Sequence, residues 1–224
     1  MTRRFMCALA ISAIVEGCGK KKVRIVQPPQ AKPKPPVPAP PPGTVERGMA
    51  SWYGHPYHGR RAADGEIYDM ETLVAAHRTL PFQTTVRVRN LSNDKTVDVR
   101  IIDRGPFVNN RAIDLSHKAA QVIELIGPGV AQVEITILAG PANPEPALFA
   151  VQVGAFREKA NADRMERNMI EAYGAAKSVL RSGDPPVWRV LAGRVDSTAA
   201  AETLAQRIRA EQKVPEAFVV RLDP

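Results

Sequence analysis

The chain has 224 residues, 31 of them Lys or Arg and 23 Asp or Glu, which gives a formal net charge of +8. Six of the basic residues lie in the segment 18–43, which has no acidic residue, whereas the segment 44–140 carries eleven residues of each sign. Because the excess charge lies in a tail and not on a folded face, we do not expect nucleic acid binding.

The first 18 residues have the order of a secretory signal. Arg3 and Arg4 precede an apolar stretch over 5–15, which is too short to span a bilayer, and Gly17 and Cys18 follow it. This order resembles a lipoprotein signal over 1–17, after which Cys18 would be acylated, although Glu16 departs from that pattern. A plain N-terminal anchor with an incidental cysteine is the alternative. The only other cysteine is Cys7, so the rest of the chain has no thiol for a disulfide or a metal site.

The segment 18–43 is predicted to be a linker. Nine of its residues between positions 28 and 42 are prolines, and it has no aromatic residue. Such a composition favours an extended polyproline conformation, whose rise of about 3.1 Å per residue would give a reach of roughly 80 Å.

The segment 44–140 is predicted to be mostly β. Two alternating runs within 84–103 flank a short polar turn and predict a hairpin, and 130–138 alternates in the same way. Residues 114–127 have apolar side chains at helical spacing and predict a short helix. The pattern as a whole is typical of a small β-barrel.

A Pro-rich break at 141–147 separates this segment from a different pattern over 148–224. Strand-like runs alternate with two amphipathic runs, 157–173 and 197–212, in the order β-α-β-β-α-β. This order predicts an α+β module of the ferredoxin-like type.

Several ionisable and aromatic residues of the first segment lie beside predicted turns or strand ends. They are Glu66, His77, Asp103, Asp114, Trp52, Tyr53 and Tyr57. Carboxyl groups with a histidine, and aromatic rings that stack on sugars, suit glycoside chemistry. A zinc site involving His55 and His58 is one alternative, and a purely structural role in turns and caps is another.

The motifs of the first segment, taken together, resemble the RlpA (rare lipoprotein A) family. They are "GMASWYG" at 48–54, "HGRRAADGEIYDM" at 58–70, "LVAAHRTLPF" at 73–82, "VRVRNL" at 86–91 and "DRGPF" at 103–107. The second segment resembles a SPOR domain through "FAVQVGAF" at 149–156. Two positions depart from the family pattern, since Asp64 stands for Asn and Gln83 for Gly.

The resemblance implies a six-stranded double-psi β-barrel followed by a ferredoxin-like SPOR domain, mainly β plus α+β. It also implies a lytic transglycosylase that needs no cofactor or metal, with Asp103, Glu66 and His77 as its catalytic cluster. Asp103 is expected to be the proton-transfer group, with a raised pKa if its pocket is apolar. Glu66 is expected to stabilise positive charge or to share the proton transfer, and His77 to orient a carboxylate. The remaining expected contacts to glycan come from Asp114, Trp52, Tyr53 and Arg104 in the barrel and from Gln152 and Arg189 in the SPOR sheet.

The implied partner is the peptide-free glycan strand of septal peptidoglycan. A lipid on Cys18 would hold the protein at the inner leaflet of the outer membrane, near septal division proteins. The same barrel also occurs in expansins, so a non-catalytic wall-binding protein remains the alternative. For the apolar residues of the SPOR strands, including Phe149 and Trp188, a plain core role is expected.

Overall fold

The computed structural model describes residues 40–108, 110–142, 147–181 and 185–223. The predicted signal at 1–17, Cys18 and most of the linker lie outside the described residues. No described helix has the length and apolar character needed to cross a membrane.

Six strands close into a barrel in the order β1-β5-β2-β4-β3-β6. They are β1 (Val45–Tyr53), β2 (Val74–His77), β3 (Thr85–Asn90), β4 (Thr96–Asp103), β5 (Arg111–Ser116) and β6 (Ala131–Ala139). The pairs β1–β5 and β2–β4 are parallel, and the other neighbours are antiparallel. The predicted double-psi β-barrel is confirmed.

The predicted hairpin at 84–103 forms β3 and β4, and its alternation fills the barrel interior. Val86 and Val88 are fully buried, as are Val99 and Ile101 on the facing strand. Residues at alternate positions of a strand share one face, so this hairpin supplies a continuous wall of the core.

The helix predicted over 114–127 is shorter than expected. Residues 111–116 form β5, and α1 (His117–Val122) begins only after Ser116, whose hydroxyl accepts the Ala119 N–H as an N-cap. Ile123 and Leu125, just beyond the helix, are also buried, so the apolar pattern continues past the end of the helix. Asp114 therefore lies on a strand.

The C-terminal segment forms a four-stranded antiparallel sheet in the order β10-β7-β9-β8. Its elements are β7 (Leu148–Phe156), α2 (Lys159–Tyr173), β8 (Ala176–Arg181), β9 (Val187–Val195), α3 (Thr198–Gln212) and β10 (Phe218–Leu222). This confirms the predicted ferredoxin-like order. Both helices cover one side of the sheet, where Val151 and Val190 are buried with Met169 and Ile208. The other side of the sheet, here called the open face because neither helix covers it, carries the side chains that alternate with these.

Candidate functional site

Asp103 is the last residue of β4 and lies where two cavities meet. Its Oδ1 atom accepts the backbone N–H groups of Ala63 at 3.1 Å and of Arg104 at 2.7 Å. The cavities have volumes of about 350 and 450 Å³. Four residues line both of them: Tyr53, Tyr57, Asp103 and Arg181. The immediate surroundings of the Asp103 carboxyl are therefore polar, so the apolar pocket under which a raised pKa is expected is not present.

The predicted aromatic lining is present beside Asp103. The Tyr53 ring stacks on Tyr68 at 4.3 Å between centroids, and the Tyr68 hydroxyl donates to the Tyr53 carbonyl at 2.6 Å. Burial, with the nearby charge of Asp103, raises the pKa of Tyr53, so its hydroxyl keeps its proton. That buried hydroxyl has no hydrogen-bond partner among the described residues. Tyr53 and Trp52 both line the larger cavity.

Asp114 lies near Asp103 because of the strand order. Ala76 on β2 is in register with Asp103 on one side and with Asp114 on the other. Two strand spacings place the backbones of the two carboxyl-bearing residues about 10 Å apart. Both residues line the larger cavity, and the small Ala76 side chain lines it with them.

The Asp114 carboxyl is held by Ser51, whose hydroxyl donates to Oδ1 across the parallel β1–β5 pair. Burial raises the pKa of Asp114, and the Ser51 hydrogen bond and the charge of Arg111 only partly oppose this. Asp114 is thus the carboxyl group in the cavity whose neutral form is favoured by its surroundings.

Two side chains other than Asp103, those of Arg100 and Gln83, hold the Glu66 carboxyl by hydrogen bonds. Arg100 donates to both Glu66 oxygens at 2.6 and 2.9 Å, and this hydrogen bonding lowers the pKa of Glu66. The Gln83 amide donates to Glu66 at 3.2 Å and to Asp64 at 3.1 Å, and its oxygen accepts from Arg100 at 2.8 Å. Gln83 has a φ of 67°, the left-handed conformation that favours glycine.

His77 does not contact Asp103 or Glu66 through any of its described hydrogen bonds. Its ring is 3% exposed, and Nδ1 accepts the backbone N–H groups of Thr79 and Leu80 at 3.2 and 3.1 Å. The proton of the neutral ring is therefore on Nε2, which lies 3.2 Å from Glu46. With Glu46 and Arg78 it lines a separate cavity of about 380 Å³. The carboxylate within hydrogen-bond distance of His77 is therefore Glu46.

The guanidinium of Arg104 is fully engaged by protein groups. It donates to both oxygens of Asp223 at 2.7 Å and to the carbonyls of His77 and Leu80 at 3.0 and 2.8 Å. It also stacks on the Phe82 ring at 3.7 Å and is 4% exposed. Arg104 thus joins the barrel to the residue that follows β10, and it also lines the larger cavity beside Asp103, where the expected contact with substrate stays a prediction.

Gln152 and Arg189 both lie on the open face of the C-terminal sheet, as the glycan-binding prediction requires. They are nevertheless covered, because the barrel packs on this face. Burial, together with the charge of Arg181, lowers the pKa of Arg189 to about 10. Gln152 Oε1 and Arg189 Nε have no partner among the described residues.

The structure adds residues that the sequence did not indicate. Arg181, at the end of β8, lies 3.5 Å from Asp103 Oδ2, and Arg100, Gln83, Ser51 and Glu46 bond the predicted carboxyl or imidazole groups. No local signal identifies them, since the residues of each pair are at least 17 positions apart in the sequence. As for the zinc alternative, the His55 and His58 rings are 6.2 Å apart, and no three His, Cys, Asp or Glu residues in the described part of the chain form a metal-binding group.

Comparison with known proteins defines the class of each domain. Residues 45–135 match a family model described as lytic transglycolase, and residues 145–221 match the SPOR domain. Together with the fold, this makes the chain a double-psi β-barrel protein of the lytic transglycolase class with a SPOR domain.

Relatives at moderate identity place it more narrowly. The endolytic peptidoglycan transglycosylase RlpA of Campylobacter jejuni is 37% identical over 165 residues, or 62% of this chain and 60% of that protein. The protein of the same name in Helicobacter pylori strain J99 is 37% identical over 74% of this chain and 50% of its own length. The chain belongs to the RlpA family. It spans about half the length of the curated relatives that it matches.

Among solved structures, the Streptomyces papain inhibitor aligns with 44% of this chain and 98% of its own chain. The TM-score is 0.37 and the identity is 22%.

Proposed function

We propose that this chain is an endolytic lytic transglycosylase of peptidoglycan. It cleaves the β-1,4 bond between N-acetylmuramic acid and N-acetylglucosamine and leaves a 1,6-anhydro end. The observation that carries the proposal is the position of Asp103, at the meeting point of two cavities that share an aromatic lining. The match of the barrel to the lytic transglycolase model supports the same reaction.

The reaction needs a single group that first donates and then accepts a proton. Asp103 in its protonated form donates to the glycosidic oxygen as the bond from C1 of the muramic acid residue breaks. The resulting carboxylate then takes the proton of the C6 hydroxyl of the same sugar while O6 bonds to C1. No water enters, so the products together have the composition of the substrate.

The other groups prepare this step. Glu66, kept anionic by Arg100, stabilises the positive charge that develops on the sugar. The carboxyl of Asp114 binds sugar hydroxyl or amide groups in the cavity, and Tyr53 and Trp52 contribute ring surface beside it. His77 supports the site structurally, because it holds the turn whose Leu80 carbonyl receives Arg104, next to Asp103.

The C-terminal domain binds peptide-free glycan strands on its open face, through residues that include Gln152 and Arg189. The match to the SPOR domain supports this role. A lipid on Cys18 anchors the protein to the inner leaflet of the outer membrane, and the proline-rich linker lets it reach the septal wall and the division proteins there. No cofactor or metal takes part.

A non-catalytic, expansin-like role in wall binding is the second candidate. It is favoured by one observation: Glu66 and His77 are held by Arg100 and Glu46, so that Asp103 and the aromatic residues remain as the main features of the cavity. A protein that only binds glycan needs no more than these.

Mass spectrometry of products from peptide-free glycan strands separates the two candidates. We expect anhydro-muramic ends from the wild-type protein, and none from Asp103→Asn. Asp114→Asn is the matched control, since it removes a second carboxyl group of the same cavity and should retain part of the activity. Reducing ends would mean hydrolysis, and binding without cleavage would favour the expansin-like role. Loss of cleavage in Asp114→Asn alone would make Asp114 the acid.

A further inference from the structure

The segment 103–107 of the barrel lies on the open face of the C-terminal sheet. The centroids of the Phe107 and Phe218 rings are 6.5 Å apart. The guanidinium groups of Arg189 and Arg181 lie 5.1 and 6.0 Å from the centroid of the Phe107 ring. Aromatic and cation–π contacts of this kind are individually weak but favourable. Since the segment starts at Asp103, the same stretch of chain carries the proposed catalytic group and the ring that covers the sheet.

Two further contacts close this interface. Arg104 binds Asp223 through two hydrogen bonds of 2.7 Å, and the backbone N–H of Arg221 donates to the Arg78 carbonyl at 3.0 Å. The ion pair is largely buried, so removal of one partner would leave a charge that the closed interface cannot solvate. We call these contacts, with Phe107, the interdomain latch.

The closed interface also leaves polar atoms unsatisfied on the open face. Gln152 is 4% exposed, and its Oε1 atom has no partner in the described parts of the chain; the same is true of Arg189 Nε. A buried polar atom without a hydrogen bond costs free energy that a ligand with hydroxyl and amide groups could recover. A sugar strand has these groups, and the Phe107 ring has none.

A cleft of about 740 Å³ gives access to this face from one side. It is lined by Leu191, Val179 and Arg189 of the sheet and by the Arg104–Asp223 pair. A strand that enters the cleft therefore meets the exposed part of the sheet first and the latch immediately afterwards.

We propose that the open face is shared by two mutually exclusive ligands, the Phe107 segment of the barrel and a glycan strand, so that glycan binding releases the latch and separates Asp103 from Arg181. Two backbone N–H groups hold Asp103 Oδ1, which leaves Oδ2 for the glycosidic oxygen, and in the latched form the Arg181 guanidinium lies 3.5 Å from Oδ2. Undocking of the sheet removes Arg181 together with the domain that carries it. The choice of glycan as the competing ligand rests on the proposed function.

The test compares Asp223→Ala with Asp98→Ala in the full chain, purified in detergent. Asp98 is the matched control, because it also pairs with an arginine, Arg87, through two hydrogen bonds of 2.7 and 2.8 Å, but on the barrel surface. We expect Asp223→Ala to increase both the affinity for peptide-free glycan strands and the rate of anhydro-end release by about fivefold or more. Asp98→Ala should change either quantity by less than about twofold.

Hydrogen exchange provides a readout that does not depend on cleavage. The Arg221 amide bonds across the interface, so glycan strands should speed its exchange in the wild type, and Asp223→Ala should speed it without glycan. Unchanged exchange and unchanged affinity in Asp223→Ala would overturn the proposal. So would slower cleavage in Asp223→Ala at equal affinity, because the latched form would then be the active one. If glycan speeds exchange but the wild type releases no anhydro ends, the latch stands and the proposed reaction is wrong.

Discussion

Arg100 and Glu66 form a two-bond ion pair between β4 and the loop that follows β1, with N–O distances of 2.6 and 2.9 Å. The side chain of Glu66 is 46% exposed, so water screens the pair, yet its hydrogen bonds still lower the pKa of Glu66 below 4.5. The pair fixes an anion in the loop whose Ala63 N–H binds Asp103.

Arg100→Gln should raise the pKa of Glu66 towards its ordinary value, which carbon-detected NMR titration of the carboxyl group would measure. A group with a lowered pKa in the folded state adds stability above its unfolded pKa and loses it as pH falls through the folded pKa. The variant should therefore lose a few tenths of a kcal/mol at pH 7, given the exposure of the pair, and nothing at low pH. An unchanged Glu66 titration would show that the ion pair is not formed in solution.

Gln83→Gly tests a position at which this chain departs from its family. Glycine adopts the φ of 67° without strain, but it also increases the conformational entropy of the unfolded chain. Because these two effects oppose each other, the free energy of unfolding should change by less than about 1 kcal/mol. Cleavage should fall several-fold, because Glu66 and Asp64 lose the amide that joins them to Arg100. Urea unfolding and initial rates measure the two effects.

Gln83→Asn is the control for this variant, since asparagine tolerates the same backbone conformation but its amide is one methylene shorter. We expect it to unfold like the wild type and to cleave at an intermediate rate. Full activity in Gln83→Gly would mean that the side chain does not position Glu66.

The sequence was sufficient to predict the elements that depend on alternation. Val86, Val88, Val99 and Ile101 alternate with polar residues, so the hairpin could be predicted from the pattern alone. The order of the C-terminal elements likewise predicted its fold. The boundary between strand and helix near residue 116 is harder to predict. β5 runs directly into α1, and the apolar spacing that indicates the helix extends over both elements.

The partners within the site could not be predicted in the same way. Arg104 and Asp223 are 119 residues apart, and their contact depends on how two independently patterned domains pack. The role of His77 as a group that orients a carboxylate stays a prediction, and the carboxylate that its ring meets in the structure, Glu46, depends on the register of β1. Family motifs indicate which residue types are present, whereas the fold decides which of them meet.

Asp114→Asn should make the protein more stable at pH 7 and less active. Burial raises the pKa of Asp114 above 3.8, so its charge opposes folding at neutral pH, and this penalty disappears as pH falls through the raised folded pKa. Asparagine retains an oxygen that can accept from the Ser51 hydroxyl. The urea midpoint should therefore rise at pH 7 and equal that of the wild type below about pH 3. A lower midpoint at pH 7 would show that the carboxylate is stabilised by its neighbours.

His77 and Glu46 allow a structural role to be separated from a catalytic one. Burial acts to raise the pKa of Glu46, but the hydrogen bond from His77, with the charge of Arg78, holds it below its usual value. Glu46→Gln keeps an acceptor for the Nε2 proton, so we expect cleavage within about twofold of the wild type. His77→Ala leaves the buried N–H groups of Thr79 and Leu80 without their acceptor and should cost about 1–3 kcal/mol of stability. Its activity should fall only in proportion to the unfolded fraction at the assay temperature.

Two outcomes would contradict this structural role: His77→Ala abolishes cleavage by a fully folded protein, or Glu46→Gln shifts the pH–rate profile. In either case His77 would take part in proton transfer, and its position beside Glu46 would be part of the catalytic machinery.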